Sequence, residues 1–266
     1  MRHTDLTGKI VLITGASSGI GYATALEFAK VGARLLLCAR REARLLELAK
    51  TLKETYQIDV LTLSLDVSSA EQVSTKLNAI PNDWSDIDIL VNNAGMARGR
   101  DKLHEGNILD WEEMINTNIK GVLYISRQIV PRMVLRGVGH IINIGSISSH
   151  EVYPGGGVYC ATKHAVRAIS KTLRMELLGT NIRVSSIDPG SVETEFSLVR
   201  FRGDTEKASA VYKGMRPLSP EDVADSVLYC ATCPPHVNIC ELRIMPTDQA
   251  SVGMTHRRKE PEKTPE

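Results

Sequence analysis

Short apolar runs alternate with longer helical patterns along almost the whole chain, and this alternation restricts the fold more than any other feature. The runs at 10–14, 34–39, 60–65, 87–92, 140–145, 183–187 and 239–244 are rich in Val, Ile and Leu. Helical patterns fill the intervals at 20–31, 41–56, 70–80, 111–136, 158–178 and 221–232. Parallel strands need long crossover connections, so strands alternating with helices imply βαβ units and a sheet covered on both faces. The runs are continuously apolar, as strands buried on both faces must be. No repeat of solenoid spacing and no low-complexity linker divides the chain. The expectation is a doubly wound α/β fold with a seven-stranded parallel sheet in a single domain, residues 1–254.

Bulk composition narrows the function classes. With 42% hydrophobic and 24% charged residues, 266 residues suit one globule with a large core. A net charge of +1 gives no electrostatic case for nucleic acid or an anionic membrane. No apolar run approaches the roughly 18 residues that span a bilayer. The polar start of the chain lacks the apolar stretch of a signal peptide, so the cytoplasm is the expected compartment. Five cysteines, an odd count, argue for reduced thiols. Cys230 and Cys233 form a C-x-x-C, but no second pair or histidine cluster completes a zinc site. They read as two small residues on one helix face, and no metal is expected.

Two regions break the alternation. The stretch 191–215 follows Pro189-Gly190 at the end of the sixth run. Ligands in open α/β sheets bind outside the carboxyl ends of the strands, so an irregular insertion there reads as a substrate lid. The charged, proline-containing tail 255–266 reads as disordered, or as packed on a partner subunit.

The chemistry sits at strand ends. Gly15-Ala16-Ser17-Ser18-Gly19-Ile20-Gly21 joins the first run to the first helix. Glycines let the backbone approach a pyrophosphate, and the helix start supplies free N–H donors, so a Rossmann-type dinucleotide site is expected there. NAD binding wants an acid at the end of the second strand to hold the ribose hydroxyl. This chain has Arg40-Arg41 instead, which favours a 2′-phosphate and hence NADP(H). Asp66-Val67 is placed to meet the adenine, and Asn93-Ala94-Gly95 to lie beside a flat ligand. Tyr159 and Lys163, four apart in a helical stretch, share a face, and Ser146 lies just past the fifth strand. A nearby ammonium favours a phenolate, so Lys163 equips Tyr159 to exchange a proton with an alcohol or carbonyl oxygen that Ser146 hydrogen-bonds. Lys163 can also bond the nicotinamide ribose.

These residues, in this order, resemble the short-chain dehydrogenase/reductase family over nearly the whole chain. The resemblance implies a fourth catalytic member, Asn118, holding a water that links the lysine to solvent. It also implies that Pro189, Gly190, Val192 and Thr194 border the cofactor. The segments around Tyr153–Tyr159, 192–204 and 234–239 are similar to the family's NADP-dependent 3-hydroxy acid dehydrogenases. That group oxidises serine, allo-threonine and 3-hydroxypropionate-type acids, reduces the matching semialdehydes and forms tetramers; the resemblance implies the same here. Ile147, where many members carry a small polar residue, would line the substrate pocket. A small hydroxy acid needs a cation for its carboxylate: Arg200 and Arg202 are candidates, with Arg98 a third, while Glu193 or Glu195 could meet a substrate ammonium. Two alternatives stay open, a reductase of 3-oxoacyl thioesters or bulky ketones, and a non-catalytic NADP(H)-binding regulator.

Overall fold

The structure, a computed structural model, describes residues 4–258. Seven strands are present: β1 (Ile10–Thr14), β2 (Arg34–Ala39), β3 (Val60–Ser64), β4 (Ile89–Asn92), β5 (Gly139–Ile144), β6 (Ile182–Pro189) and β7 (Glu241–Ile244). The helices are α1 (Gly19–Lys30), α2 (Glu42–Tyr56), α3 (Ala70–Asn78), α4 (Ile108–Ile115), α5 (Gly121–Arg136), α6 (Gly157–Glu176), α7 (Phe196–Arg200), α8 (Thr205–Ala210) and α9 (Pro220–Thr232). All strand pairings are parallel, in the order β3-β2-β1-β4-β5-β6-β7.

Two cores follow from the pleat. Successive side chains point to opposite faces. Val11 and Ile13 of β1 therefore join Leu35 and Leu37 of β2 against Phe28 of α1, Leu48 of α2 and Val227 of α9. Ile10 and Leu12, with Leu36, face Leu77 of α3, Ile129 of α5 and Leu173 of α6. Each fully buried leucine contributes about 1.5–3 kcal/mol. The order also fixes where a ligand binds: from β1 the chain winds outward to β3, and from β4 it winds the other way to β7. Connections leaving the carboxyl ends of β1 and β4 therefore diverge and open a crevice between them.

The structure departs from the expected elements in informative places. The helix expected over 111–136 starts earlier, at Ile108, because Asn107 caps it, its side chain accepting from Leu109 N at 2.9 Å. It is also interrupted by a π-helical turn, Asn116–Lys120. Nothing in the sequence there, neither Pro nor Gly, marks that turn. Cys230 and Cys233 are buried at the end of α9, where the Arg183 guanidinium donates to the carbonyls of Cys230, Ala231, Cys233 and Val237. The expected lid contains two short helices, α7 and α8. Over the first residues of the expected tail, His256 N donates to Asp248 O at 2.7 Å and Arg258 N to Gly214 O at 2.7 Å. The Arg258 side chain also pairs with Asp248 at 3.1 Å, so residues 256–258 are fastened to Asp248 and to Gly214 at the end of the lid. Residues 259–266 of the expected tail lie outside the described residues.

Candidate active site

The turn after β1 is built for close approach. Gly15 (φ +68°) and Gly19 (φ +54°) adopt left-handed backbone that side chains rarely tolerate. A Cβ on Gly21 would lie 2.4 Å from Asn93 Nδ2 and 2.5 Å from Gly15 O. Asn93 pins the turn, donating from Nδ2 to Thr14 O at 2.9 Å and to Gly15 O at 3.3 Å. Asn93 N and Ala94 N both donate to Thr14 Oγ1 at 3.0 Å. The turn and the loop after β4 are thus one unit. Thr194 closes the other wall: a Cβ on Gly19 would meet its methyl at 3.2 Å. Val192 forms a bridge with Leu218, and Gly190 N donates to Ile244 O at 2.8 Å, which carries the segment after Pro189 over the sheet edge. Asp66 closes a local turn, accepting from Ser68 N and Oγ at 2.9 and 2.7 Å, and Val67 packs on Gly121. A narrow glycine floor beneath the amino terminus of α1 fits the pyrophosphate of a dinucleotide. Ile20 lies in the first turn of that helix.

The arginines at the end of β2 have different fates. Arg40 is exposed and has no partner among the described residues. Arg41 donates to Ser17 Oγ at 3.1 and 3.2 Å and to Ser18 Oγ at 2.6 Å, and it pairs with Glu195 at 2.7 Å. Arg44 pairs with the same carboxylate at 2.7 Å. The sequence reading missed Arg44, although its position three residues after Arg41 puts both on one helix face.

Ser146, Tyr159, Lys163 and Asn118 meet at the carboxyl ends of β4 and β5. Ser146 caps a short 3-10 turn, Ile147–Ser149, accepting from Ser148 N at 3.1 Å; buried Ile147 is the next residue. The Ser146 hydroxyl lies close enough to the Tyr159 phenol to favour its ionised form. Lys163 is 6% exposed, donates to Ile144 O at 2.9 Å and lies 6.0 Å from the Tyr159 ring centroid. Asn118 lies in the π turn, a form common at functional sites. Its Nδ2 donates to Met96 O at 2.8 Å and Thr162 Oγ1 at 3.0 Å, while Oδ1 accepts from Met96 N at 2.8 Å. One Oδ1 lone pair remains for a water. Gly95 joins the two: a Cβ there would stand 3.5 Å from both Asn118 Oδ1 and Lys163 Nζ.

Burial dominates the ionisation of this cluster. It pushes the Tyr159 phenol up to about 12, opposed first by the charge of Arg200 and then by the Ser146 hydroxyl. The sequence reading gave that electrostatic role to Lys163; the leading cation is Arg200. Burial also pushes Lys163 down to about 8, against the pull of Asp188. Asp188 is fully buried, accepts from Ser186 Oγ at 2.8 Å and pairs with His150 at 2.8 Å. His150, Asp188 and Glu241 are the one metal-type grouping among the described residues, but Arg167 and Lys171 already neutralise Glu241 at 3.3 and 3.5 Å.

The three candidate substrate arginines separate clearly. Arg202 pairs with Asp110. Arg98 pairs with Glu113 at 2.6 Å and donates to Val199 O at 2.6 Å. Arg200 is buried, has no carboxylate partner among the described residues, and keeps an unpartnered Nε. Its guanidinium lies 5.1 Å from the Tyr159 ring and 5.3 Å from the Phe196 ring, and it donates to Tyr153 Oη at 2.9 Å. A pocket beside it is lined by Arg98, Asp110, Trp111, Met114 and Tyr159. Sequence reasoning did not single out Tyr153 and Phe196 as site residues. Glu195 is committed to Arg41 and Arg44.

A parallel sheet with a glycine turn at its switch point and a Ser-Tyr-Lys cluster beside it defines a dinucleotide-dependent oxidoreductase site. Residues 9–203 match the short chain dehydrogenase family, and the chain belongs to it. It is 44% identical over 255 residues to the NADP-dependent 3-hydroxy acid dehydrogenase of Schizosaccharomyces pombe, covering 96% of this chain and 98% of that one. The NADP-dependent 3-hydroxy acid dehydrogenase YdfG of Salmonella typhi is 45% identical over 250 residues, covering 94% and 99%. The closed form of a serine dehydrogenase complexed with NADP+ superposes with a TM-score of 0.87 at 44% identity, covering 94% of this chain and all of that one.

Proposed function

We propose that the protein is an NADP(H)-dependent dehydrogenase of small 3-hydroxy acids such as serine, allo-threonine and 3-hydroxypropionate, and that it reduces the matching semialdehydes or 3-oxo acids in reverse. One observation carries the substrate class: Arg200 is a buried cation beside Tyr159 with no carboxylate partner among the described residues. A substrate carboxylate on Arg200 would leave the 3-hydroxyl near the Tyr159 phenol. NADP+ when bound accepts a hydride from the C–O carbon, and NADPH gives it back. Tyr159 takes the hydroxyl proton in oxidation and returns it in reduction. Ser146 hydrogen-bonds the reacting oxygen and orients it. Lys163 bonds the nicotinamide ribose and adds positive charge below a pH of about 8. Asn118 fixes the loop after β4 against α6 and holds a water that connects Lys163 to solvent. Arg40, Arg41 and Arg44 take the 2′-phosphate.

The same reading makes the enzyme a cytoplasmic homotetramer. Its five unpaired thiols suit a reducing compartment. Leu123 and Val134 are exposed on one face of α5 and suit a subunit interface. No helix among the described residues is long and apolar enough to cross a membrane. Initial rates with the three hydroxy acids, using NADP+ and then NAD+, test the proposal. Turnover that depends on NADP+ supports it; turnover confined to NAD+, or to bulky ketones with NADPH, overturns it.

A further inference from the structure

Glu195 stands where three parts of the molecule meet. Its carboxylate accepts from Arg41 Nη1 at 2.7 Å and from Arg44 Nη1 at 2.7 and 2.9 Å. The same Arg41 guanidinium holds the hydroxyls of Ser17 and Ser18 in the glycine turn. An anion gripped by two guanidiniums is the arrangement that binds a phosphate, and here the lid supplies the anion. The two arginines hold Glu195 below the usual carboxylate range, Arg41 more than Arg44, so the cluster is charged at neutral pH. Glu195 is also the cap residue of α7, the five-residue helix that ends at Arg200. A little more than one helical turn therefore links the phosphate end of the crevice to the cation beside Tyr159.

We propose that Glu195 makes the lid respond to the cofactor: Arg41 and Arg44 exchange its carboxylate for the cofactor's 2′-phosphate, and its release untethers α7, the helix that carries Arg200. This rests on the NADP(H) reading. NAD(H) carries no 2′-phosphate, so with it Glu195 keeps its arginines and the lid stays tethered. Linkage requires the converse as well: a lid without Glu195 takes up the phosphorylated dinucleotide more readily. The exchange is inexpensive because Glu195 and both arginines are partly exposed and the freed carboxylate is rehydrated.

The test is the dissociation constants of NADP+ and NAD+ for the full chain and its Glu195→Gln variant, by calorimetric titration, with limited proteolysis of the 191–215 segment. The variant is expected to bind NADP+ about fivefold tighter, with NAD+ binding unchanged. NADP+, and not NAD+, should alter cleavage of that segment in the unmodified enzyme. Weaker NADP+ binding by Glu195→Gln would show a clasp that holds the cofactor, and would overturn the proposal. Unchanged binding, or the same cleavage pattern with both dinucleotides, would overturn it too. An unmodified enzyme that binds NAD+ as tightly as NADP+ would instead remove the cofactor reading, and this inference with it. Arg44→Gln separates these cases, since it should weaken NADP+ binding about tenfold and leave NAD+ binding as it was.

Discussion

Tyr159 and Lys163 lie four residues apart on α6, yet burial moves the phenol up to about 12 and the ammonium down to about 8. Replacing Tyr159 by Phe removes the proposed proton-transfer group and keeps the ring that packs edge-on against Phe196 at 5.6 Å. Its kcat should fall about a hundredfold to ten-thousandfold while dinucleotide binding is unchanged; stopped-flow binding and steady-state rates check both parts. Lys163 makes a separate prediction about stability. Its folded pKa of about 8 lies below its ordinary value of 10.5, so between these values the unfolded chain binds more protons. Its contribution to stability therefore rises with pH across that window and is constant below it. The difference in unfolding free energy between the enzyme and Lys163→Met should show that slope between pH 8 and 10.5, and a difference independent of pH would count against the buried charge. The convergence of Ser146, Tyr159 and Lys163 was legible because Tyr159 and Lys163 share a helix face and Ser146 follows a strand that ends at the same edge. Which arginine is left without a carboxylate was not: Arg98, Arg200 and Arg202 are equivalent in sequence until Glu113 and Asp110 claim two of them.

At the scale of elements, the glycine turn and the loop after β4 form one rigid floor. Gly21→Ala would drive a methyl into Asn93 Nδ2 and the Gly15 carbonyl, and backbone cannot yield cheaply there. That variant should fold less stably and lose most of its dinucleotide affinity, and thermal shifts with and without NADP+ measure both. Tight binding by Gly21→Ala would contradict the pinned turn. The strands were legible from their apolar runs and β-branched residues, with errors confined to their ends. The π turn at Asn116–Lys120 was not, because only the tertiary pairing of Asn118 with Met96 selects it over a regular helix. Arg44 was readable in principle from its spacing to Arg41, whereas the reach of Glu195 across the crevice is a property of the folded lid.

For the whole molecule, the sheet order sets the crevice, and the outer helices carry the proposed subunit interface. Leu123 and Val134 are three turns apart on the solvent face of α5, with 45% and 43% exposure, so they form one apolar stripe. If subunits associate through that face, Leu123→Glu should turn a tetramer into smaller species by light scattering, with the folded subunit's circular dichroism retained. A tetramer that survives the change would place the interface elsewhere. The central claim is that Arg200 selects a carboxylate at the proton-transfer site. The most direct test compares kcat/KM for 3-hydroxypropionate and its methyl ester, with NADP+, in the enzyme and in Arg200→Gln. Breaking a buried charge pair costs about 2–5 kcal/mol, so the acid should lose about thirtyfold or more while the ester changes little. Equal losses on acid and ester, or none on the acid, would contradict the claim.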